Sequence, residues 1–299
     1  MAETKALTFN QTLTGLVAKT NNEVERLSQK GELSLPGNYS AGNALKQFQL
    51  MIQDNDDIKS CTSASIAKCM LDMVIMGLNP SKKQCYCIKY GNKAQLMPSY
   101  LGNAAMAKRI DPTIENITAR TIHTGEEFEF EDDLVTGYSH VTKHTRTLNS
   151  MAVNDPEKDI VGAYSTITYN DGKQPVSLIM PFSEIKKRWA KSQTHPIDAS
   201  GKVKVNSTHF QFPDKMCERT VINAICVPII AKSDDDNLFG STVQSVTVEA
   251  AKAEADAEAY ENMCAGDMID IEGEFEEVPD IAEKMEAEQQ IFVDNPVDV

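Results

Sequence analysis

Residues 77–102, GLNPSKKQCYCIKYGNKAQLMPSYLG, constrain the fold more than any other part of this chain. Pro80 cannot extend a helix and holds Asn79 in extended geometry, so Gly77-Leu78-Asn79-Pro80 stops whatever precedes it. The residues that follow alternate. Gln84, Tyr86, Ile88 and Tyr90 point one way and Lys83, Cys85, Cys87 and Lys89 the other, which is the period of a β-strand. Gly91-Asn92 is a two-residue loop whose residues tolerate positive φ, and 93–100 returns as the second strand of a tight hairpin. Lys82, Lys83, Lys89 and Lys93 share this ribbon with Tyr86, Tyr90 and Tyr100, and no acidic residue interrupts it. Cations interleaved with aromatics are what a nucleic-acid backbone and its bases can use.

Helices are expected before the hairpin. Leu13, Leu16, Val17, Val24 and Leu27 give 10–30 a partial apolar stripe, ended by Gly31 and Pro36-Gly37. Residues 1–40 read either as an arm that packs on a neighbouring copy or as a loosely attached terminal helix. A second helix is expected over 43–54, with Leu45, Phe48 and Ile52 on one face. A third is expected over 63–76, N-capped by Ser63, with Ile66, Cys69, Met70, Met73, Val74 and Met76 as a buried face. After the hairpin, 100–110 reads as a helix with Lys108 and Arg109 in its last turn. Cations there either suit the helix dipole or extend the basic surface.

Strands rich in β-branched and aromatic residues follow at 114–123, 128–130, 138–143, 160–169 and 176–180. Gly125, Gly137, Asp155-Pro156 and Asp171-Gly172 separate them, the pattern of a mostly antiparallel sheet. The acidic run 126–133 reads as a solvated hairpin edge. A helix over 183–192 surrounds the only tryptophan, Trp189, with Lys186, Lys187, Arg188 and Lys191. Trp189 either anchors that helix in a core or offers a stacking face. A long loop, 193–208, leads to a last helix over 213–227, begun by Pro213 and ended by Pro228. Lys215, Arg219 and Asn223 stand four apart along one side of it.

The net charge of −15 argues against a nucleic-acid partner only until it is located along the chain. Residues 234–299 hold 20 acidic and 2 basic side chains, which leaves 24 acidic and 27 basic residues in 1–233. The body is therefore mildly basic, and the acidic tail, rich in Ala and Glu, has the composition of a disordered segment. Seven cysteines without a CxxC pair point to reduced thiols in a cytoplasm, with Cys85 and Cys87 packing as small apolar groups. No apolar run approaches the ~20 residues of a membrane span. There is no GxxxxGK[ST], no GxGxxG after a strand, no GxSxG and no HExxH, so any DNA pairing is expected to run without ATP.

Within 77–102, GLNP, KKQCY, YGNK and SYLG come in an order that continues with Gly162-Ala163-Tyr164, Trp189-x-Lys191-Ser192, Thr208-His209-Phe210 and Lys215-Met216-x-x-Arg219-Thr220. Together these blocks resemble the RecT family of phage single-strand annealing proteins, over roughly residues 40–233. The resemblance implies an α+β fold in which a basic β-hairpin and a small antiparallel sheet pack with helices around a basic groove. The expected organisation is an N-terminal helical arm (1–40), an annealing core (41–233) and an acidic, disordered tail (234–299). It implies a DNA-binding protein rather than an enzyme, which pairs complementary strands in recombination and repair as a ring or helical filament of identical subunits. No cofactor is expected, neither ATP nor a resident metal, with Mg2+ entering at most through the DNA. Expected partners are single-stranded DNA, the annealed duplex, a 5′→3′ exonuclease and a host single-strand binding protein, in the cytoplasm of a bacterial host.

Carried onto this sequence, the resemblance has Lys83, Lys89, Lys93, Lys108, Lys187, Lys191, Lys215 and Arg219 meeting phosphates. Tyr86, Tyr100 and Trp189 would stack on bases or shape the groove, and Gln84, Thr208 and Asn223 would hydrogen-bond to the strand. Two other readings stand beside it. One is a metal-dependent nuclease that uses carboxylates among 126–133 with His140 or His144. The other is an acidic oligomeric scaffold that touches no nucleic acid.

Overall fold

The structure, a computed structural model, describes residues 8–192 and 195–231 together with Thr242. Thr8 and Gln11 form a reciprocal capping box that starts α1 (Phe9–Gln29). Leu13, Val24 and Leu27 of α1 are buried against α2 (Ala41–Ile52) and α4 (Ser63–Ile75), with the single turn α3 (Asp56–Lys59) between those two. The first helix is thus built into the core of its own chain, where the sequence left it as an arm or a loose terminus. Thr62, not Ser63, caps α4, its hydroxyl accepting the Ser65 N–H. Ile66, Cys69, Met70, Met73 and Val74 then turn inward as expected.

The hairpin pairs β1 (Cys85–Tyr90) with β2 (Lys93–Pro98), antiparallel, with Tyr90 opposite Lys93, Lys89 opposite Ala94 and Cys87 opposite Leu96. Gly91 supplies the positive φ of the turn (+60°), and Asn92 does not need it. Cys85, Cys87, Ala94 and Leu96 bury one face of the ribbon on the helices. The Ala94 N–H donates to Ser65 Oγ and the Thr62 N–H to the Asn92 carbonyl, which ties the hairpin tip to the start of α4. Lys83 is not part of the strand. A 3-10 turn over Pro80–Lys82 ends on it at φ +54°, so pairing begins only at Cys85.

Ser99 caps α5 (Tyr100–Ile110). Next come β3 (Ile114–His123), β4 (Glu127–Asp132), β5 (Ser139–Thr145), β6 (Ile160–Tyr169) and β7 (Val176–Pro181), with the short helix α6 (Pro156–Asp159) leading into β6. They form one antiparallel sheet in the order β3-β6-β7-β5-β4. This is the expected α+β architecture. Gly162 is required where β6 meets β7, because a Cβ there would stand 2.6 Å from the Met180 carbonyl oxygen.

The chain closes with α7 (Phe182–Trp189), the single turn α8 (Thr208–Gln211) and α9 (Pro213–Ala231). Within the loop before α8, Ile197 bridges Val203, and the Glu157 carboxylate accepts the Val203 N–H. Pro228 does not end α9 as the sequence suggested. Proline forfeits one helical hydrogen bond, but Ile225, Cys226 and Ile230 are buried on both sides of it, and their packing carries the helix on. α9 lies against β3, β6 and β7 on one side and α5 on the other. It joins one core, made by α1, α2, α4 and the hairpin, to a second around Trp189, Phe182, Ile185, Met216 and Val221. Among the described residues no helix is long and apolar enough to cross a membrane. The acidic tail, Thr242 apart, lies outside the described residues.

Candidate nucleic-acid interface

The start of α5 is fitted to the start of β1. A Cβ on Gly102 would stand 2.1 Å from the Gln84 carbonyl oxygen, so only glycine allows the helix this close. Ser99 fastens the junction. Its hydroxyl donates to the Lys83 carbonyl (2.6 Å) while accepting the Leu101 and Gly102 N–H groups. Its own N–H donates to the Gln84 carbonyl (2.9 Å). The Gln84 side-chain oxygen accepts the Asn79 N–H at 2.9 Å, so part of its hydrogen-bonding capacity is already used by the preceding turn. The backbone of Lys83 and Gln84 is thereby held against the first turn of α5.

Across the seam between α5 and α9, the Arg219 guanidinium stands 5.4 Å from the centre of the Tyr100 ring. One turn on, Asn103 Nδ2 donates to Asn223 Oδ1 at 2.9 Å. Lys215 lies one turn before Arg219 with its side chain 72% exposed, and its ammonium rests on Glu218 at 2.9 Å. Tyr100 and Asn103 of α5 therefore meet Arg219 and Asn223 of α9 along one seam, with Lys215 one turn before Arg219 and the Lys83–Gln84 backbone packed on the first turn of α5. Asn103 is the member that sequence reasoning missed. Its signal was spacing: Tyr100 and Asn103 are three apart, Arg219 and Asn223 four apart, and each pair shares a helix face.

The other expected contacts lie around this seam or away from it. Lys93 shares the outer face of the hairpin with Tyr86 and Tyr90, but Lys89 lies on the opposite face, where it reaches Asp57 of α3 at 3.9 Å. The register makes this unavoidable, since neighbours along a strand alternate sides. With Lys83 off the strand, Lys83, Lys89 and Lys93 share the ribbon but not one face of it. Lys108 is at the far end of α5, about 12 Å along the helix from Tyr100 at ~1.5 Å per residue, and donates to the Glu115 carbonyl. Arg109 beside it binds the Ile75 and Ser34 carbonyls and so ties the helix end to the N-terminal helices. Lys187 and Lys191 are exposed on and just after α7. Thr208 opens α8, its carbonyl accepting the Phe212 N–H.

Trp189 is buried completely. Its Nε1 donates to Thr220 Oγ1 at 2.9 Å, and its ring meets Phe182 and His209 edge-on, with centroids 5.7 and 4.6 Å away. A base cannot reach either face, so the stacking role fails and the anchoring alternative holds. The indole fastens α7 and α8 onto α9, and that fastening sets where Lys187, Lys191 and Thr208 stand relative to Arg219.

The acidic run divides at its first residue. Glu127 to Asp132 form the exposed edge strand that was expected, with Lys143 on Glu127 at 2.7 Å. The Glu126 side chain is instead wholly buried. Its carboxylate accepts the His123 N–H (2.8 Å), His144 Nε2 (2.9 Å) and the Ser150 hydroxyl (2.6 Å). Burial alone would raise its pKa, but these donors outweigh it and hold the carboxyl at about 2. A carboxylate so engaged has little capacity left for a metal ion, and among the described residues no three His, Cys, Asp or Glu side chains are arranged to hold one. His140 is occupied elsewhere, its Nδ1 lying 2.7 Å from the Pro175 carbonyl. Cys85 and Cys87 pack inside the hairpin, and burial pushes the Cys85 thiol up.

A comparison with curated proteins finds no match. The profile of the RecT family matches residues 42–261, a span that takes in the hairpin, α5, the sheet and all of α9. With the hairpin, the glycine-fitted α5 and the α9 row lying inside a match that covers most of its length, the chain belongs to the RecT family of single-strand annealing proteins.

Proposed function

We propose that this protein binds single-stranded DNA along the seam between α5 and α9 and anneals complementary strands as an assembly of identical subunits, without hydrolysing nucleotide. The observation that carries the reading is the meeting of Tyr100 with Arg219 and of Asn103 with Asn223 on one seam, with Lys215 one turn before Arg219 and Lys83 held at the start of α5 by Ser99. Cations there neutralise phosphates, so that a second like-charged strand can approach. The Tyr100 ring under Arg219 offers a cation-backed surface for a base. Lys187, Lys191 and Thr208 extend the path beyond α9, and Tyr86, Lys93 and Lys108 lie at its margins, whereas Lys89 is turned to α3. Pairing then runs downhill on the stacking and pairing energy of the product. Assembly as a ring or filament, Mg2+ carried by the DNA, and cooperation with a 5′→3′ exonuclease and a host single-strand binding protein belong to the same proposal.

Salt dependence tests the seam. Replacing Lys83 and Lys215 together with Ala should reduce the log–log slope of oligonucleotide affinity against salt by about 1.4, at ~0.7 per lost phosphate contact. Lys89→Ala should leave the slope unchanged, because that side chain points to α3. Equal slopes in the double variant and the natural protein, both folded, would remove the seam from the DNA path. Shortening of a labelled oligonucleotide in Mg2+ would favour the nuclease reading.

A further inference from the structure

Both ring nitrogens of His123 face carboxylate oxygens. Nε2 lies 2.9 Å from Oδ1 of Asp214, and Nδ1 lies 3.3 Å from Oε1 of Glu126. A neutral imidazole carries one N–H, so in either tautomer a lone pair would point at a carboxylate; the imidazolium donates to both. The second histidine on Glu126 is satisfied differently. His144 Nε2 stands 2.9 Å from Glu126 Oε2, and its Nδ1 stands 3.0 Å from the Tyr164 hydroxyl, which can donate. A neutral ring fills both contacts of His144, whereas only a charged ring fills both contacts of His123.

Of the other charged groups nearby, Arg146 sets its buried Nε 3.8 Å from Glu126, within ion-pair range but beyond hydrogen-bond reach, and Lys215, next to Asp214, is turned to Glu218. In α6 and its cap, next to the His123–Ile160 pairing, Lys158 pairs with Asp155, while Asp159 accepts the N–H groups of Asn154 and Asp155. The hydrogen bond to Asp214, opposed by burial, and the nearby Glu126 raise the pKa of His123 above its ordinary value. The Thr121 hydroxyl donates to the Asp214 carbonyl at 3.4 Å, so β3 holds the first turn of α9 at two points.

We propose that His123 is a positioning residue for strand binding, whose imidazolium clips the first turn of α9, and with it Lys215 and Arg219, to the turn between β3 and β4. The proposal rests on the reading that this seam binds single-stranded DNA. Loss of the proton leaves the Asp214 and Glu126 carboxylates facing one another across a neutral ring, frees the helix start, and adds one negative charge behind the phosphate-binding row. A group whose pKa is raised in the folded state holds its clip below that pKa and loses it as the pH rises through it. Affinity for the strand therefore falls as pH rises. By linkage, the strand raises the pKa of His123 by the same factor.

The test is the affinity of the full chain for a labelled oligodeoxythymidine between pH 6 and 8.5 at fixed ionic strength, with the histidine ring signals followed by NMR. The expected results are affinity weaker by roughly five- to tenfold at the upper end, a modest coupling, and a His123 pKa above 6.5 that rises by up to about one unit with the strand bound. His123→Gln should bind at pH 6 as the natural protein does at pH 8.5, with a flat profile. Should that buried variant not fold, Asp214→Asn, at a side chain 31% exposed, should lower the His123 pKa and move the midpoint of the profile down with it. A flat profile with binding intact, an unmoved profile in the folded variants, or a His123 pKa at or below 6.5 would overturn this role and leave the binding reading standing. Absence of binding at every pH would fell both.

Discussion

Trp189→Ala is expected to lower stability by about 3 to 5 kcal/mol, the range for deleting a large buried aromatic, while the folded fraction keeps most of its affinity for single-stranded DNA. The indole is fully buried, shares edge-on contacts with Phe182 and His209, and gives its N–H to Thr220. Truncation removes all of these and leaves a cavity between α7 and α9. In a domain of this size, each lost kcal/mol lowers the melting temperature by roughly 2 to 4 °C. A denaturant melt beside an anisotropy titration separates the effects. Trp189 fluorescence in the natural protein should also barely respond to a bound oligonucleotide. An unchanged melt with binding lost would return Trp189 to the DNA path.

Gly102→Ala is expected to damage both stability and binding. The added methyl would meet the Gln84 carbonyl oxygen at 2.1 Å, and that atom belongs to backbone held by Ser99 and by the 3-10 turn before β1. Neither side can yield without separating α5 from the hairpin. The cost should sit at or beyond the upper end of the ~1 to 3 kcal/mol typical of overpacking. Because the same junction sets the start of α5, which carries Tyr100, against Lys83 and Gln84, affinity should drop as well, even at temperatures where the variant is folded. Gly42→Ala in α2 is the control. Nothing lies within 4 Å of the position its methyl would take, so it should stabilise by up to about 1 kcal/mol through helix propensity. Equal, small effects at both glycines would mean that α5 does not sit where the structure has it.

Much of this was legible from local signals. The β-branched runs fixed the expected limits of β3 and β6, and the two-residue turn at Gly91 implied the register that sends Lys89 and Lys93 to opposite faces. That consequence of parity was available from the sequence but was masked by the visible cluster of lysines. What local signals could not supply were pairings across long stretches of chain. Asn103 meets Asn223 and His123 meets Asp214, separated by 120 and 91 residues, and neither residue type announces such a partner. Glu126 shows the same limit. Inside an acidic run it looks solvated, and only the return of β5 with His144 and of the following turn with Ser150 buries it. Pro228 misleads for a related reason, because the packing of Ile225 and Ile230, invisible locally, outweighs one missing hydrogen bond.

Pairing of complementary strands at the seam between α5 and α9 should need no nucleotide. Its most direct test follows two complementary, end-labelled oligonucleotides by energy transfer in the absence of ATP, with the natural protein and with Tyr100→Ala/Arg219→Ala. The stacking pair should be worth about 1 to 3 kcal/mol per base held, and both side chains are only partly buried, so the variant should melt close to the natural protein. The expected result is rapid annealing by the natural protein, with strands of unchanged length, and annealing near the protein-free rate with the double variant. A folded double variant that anneals as fast as the natural protein would contradict the account.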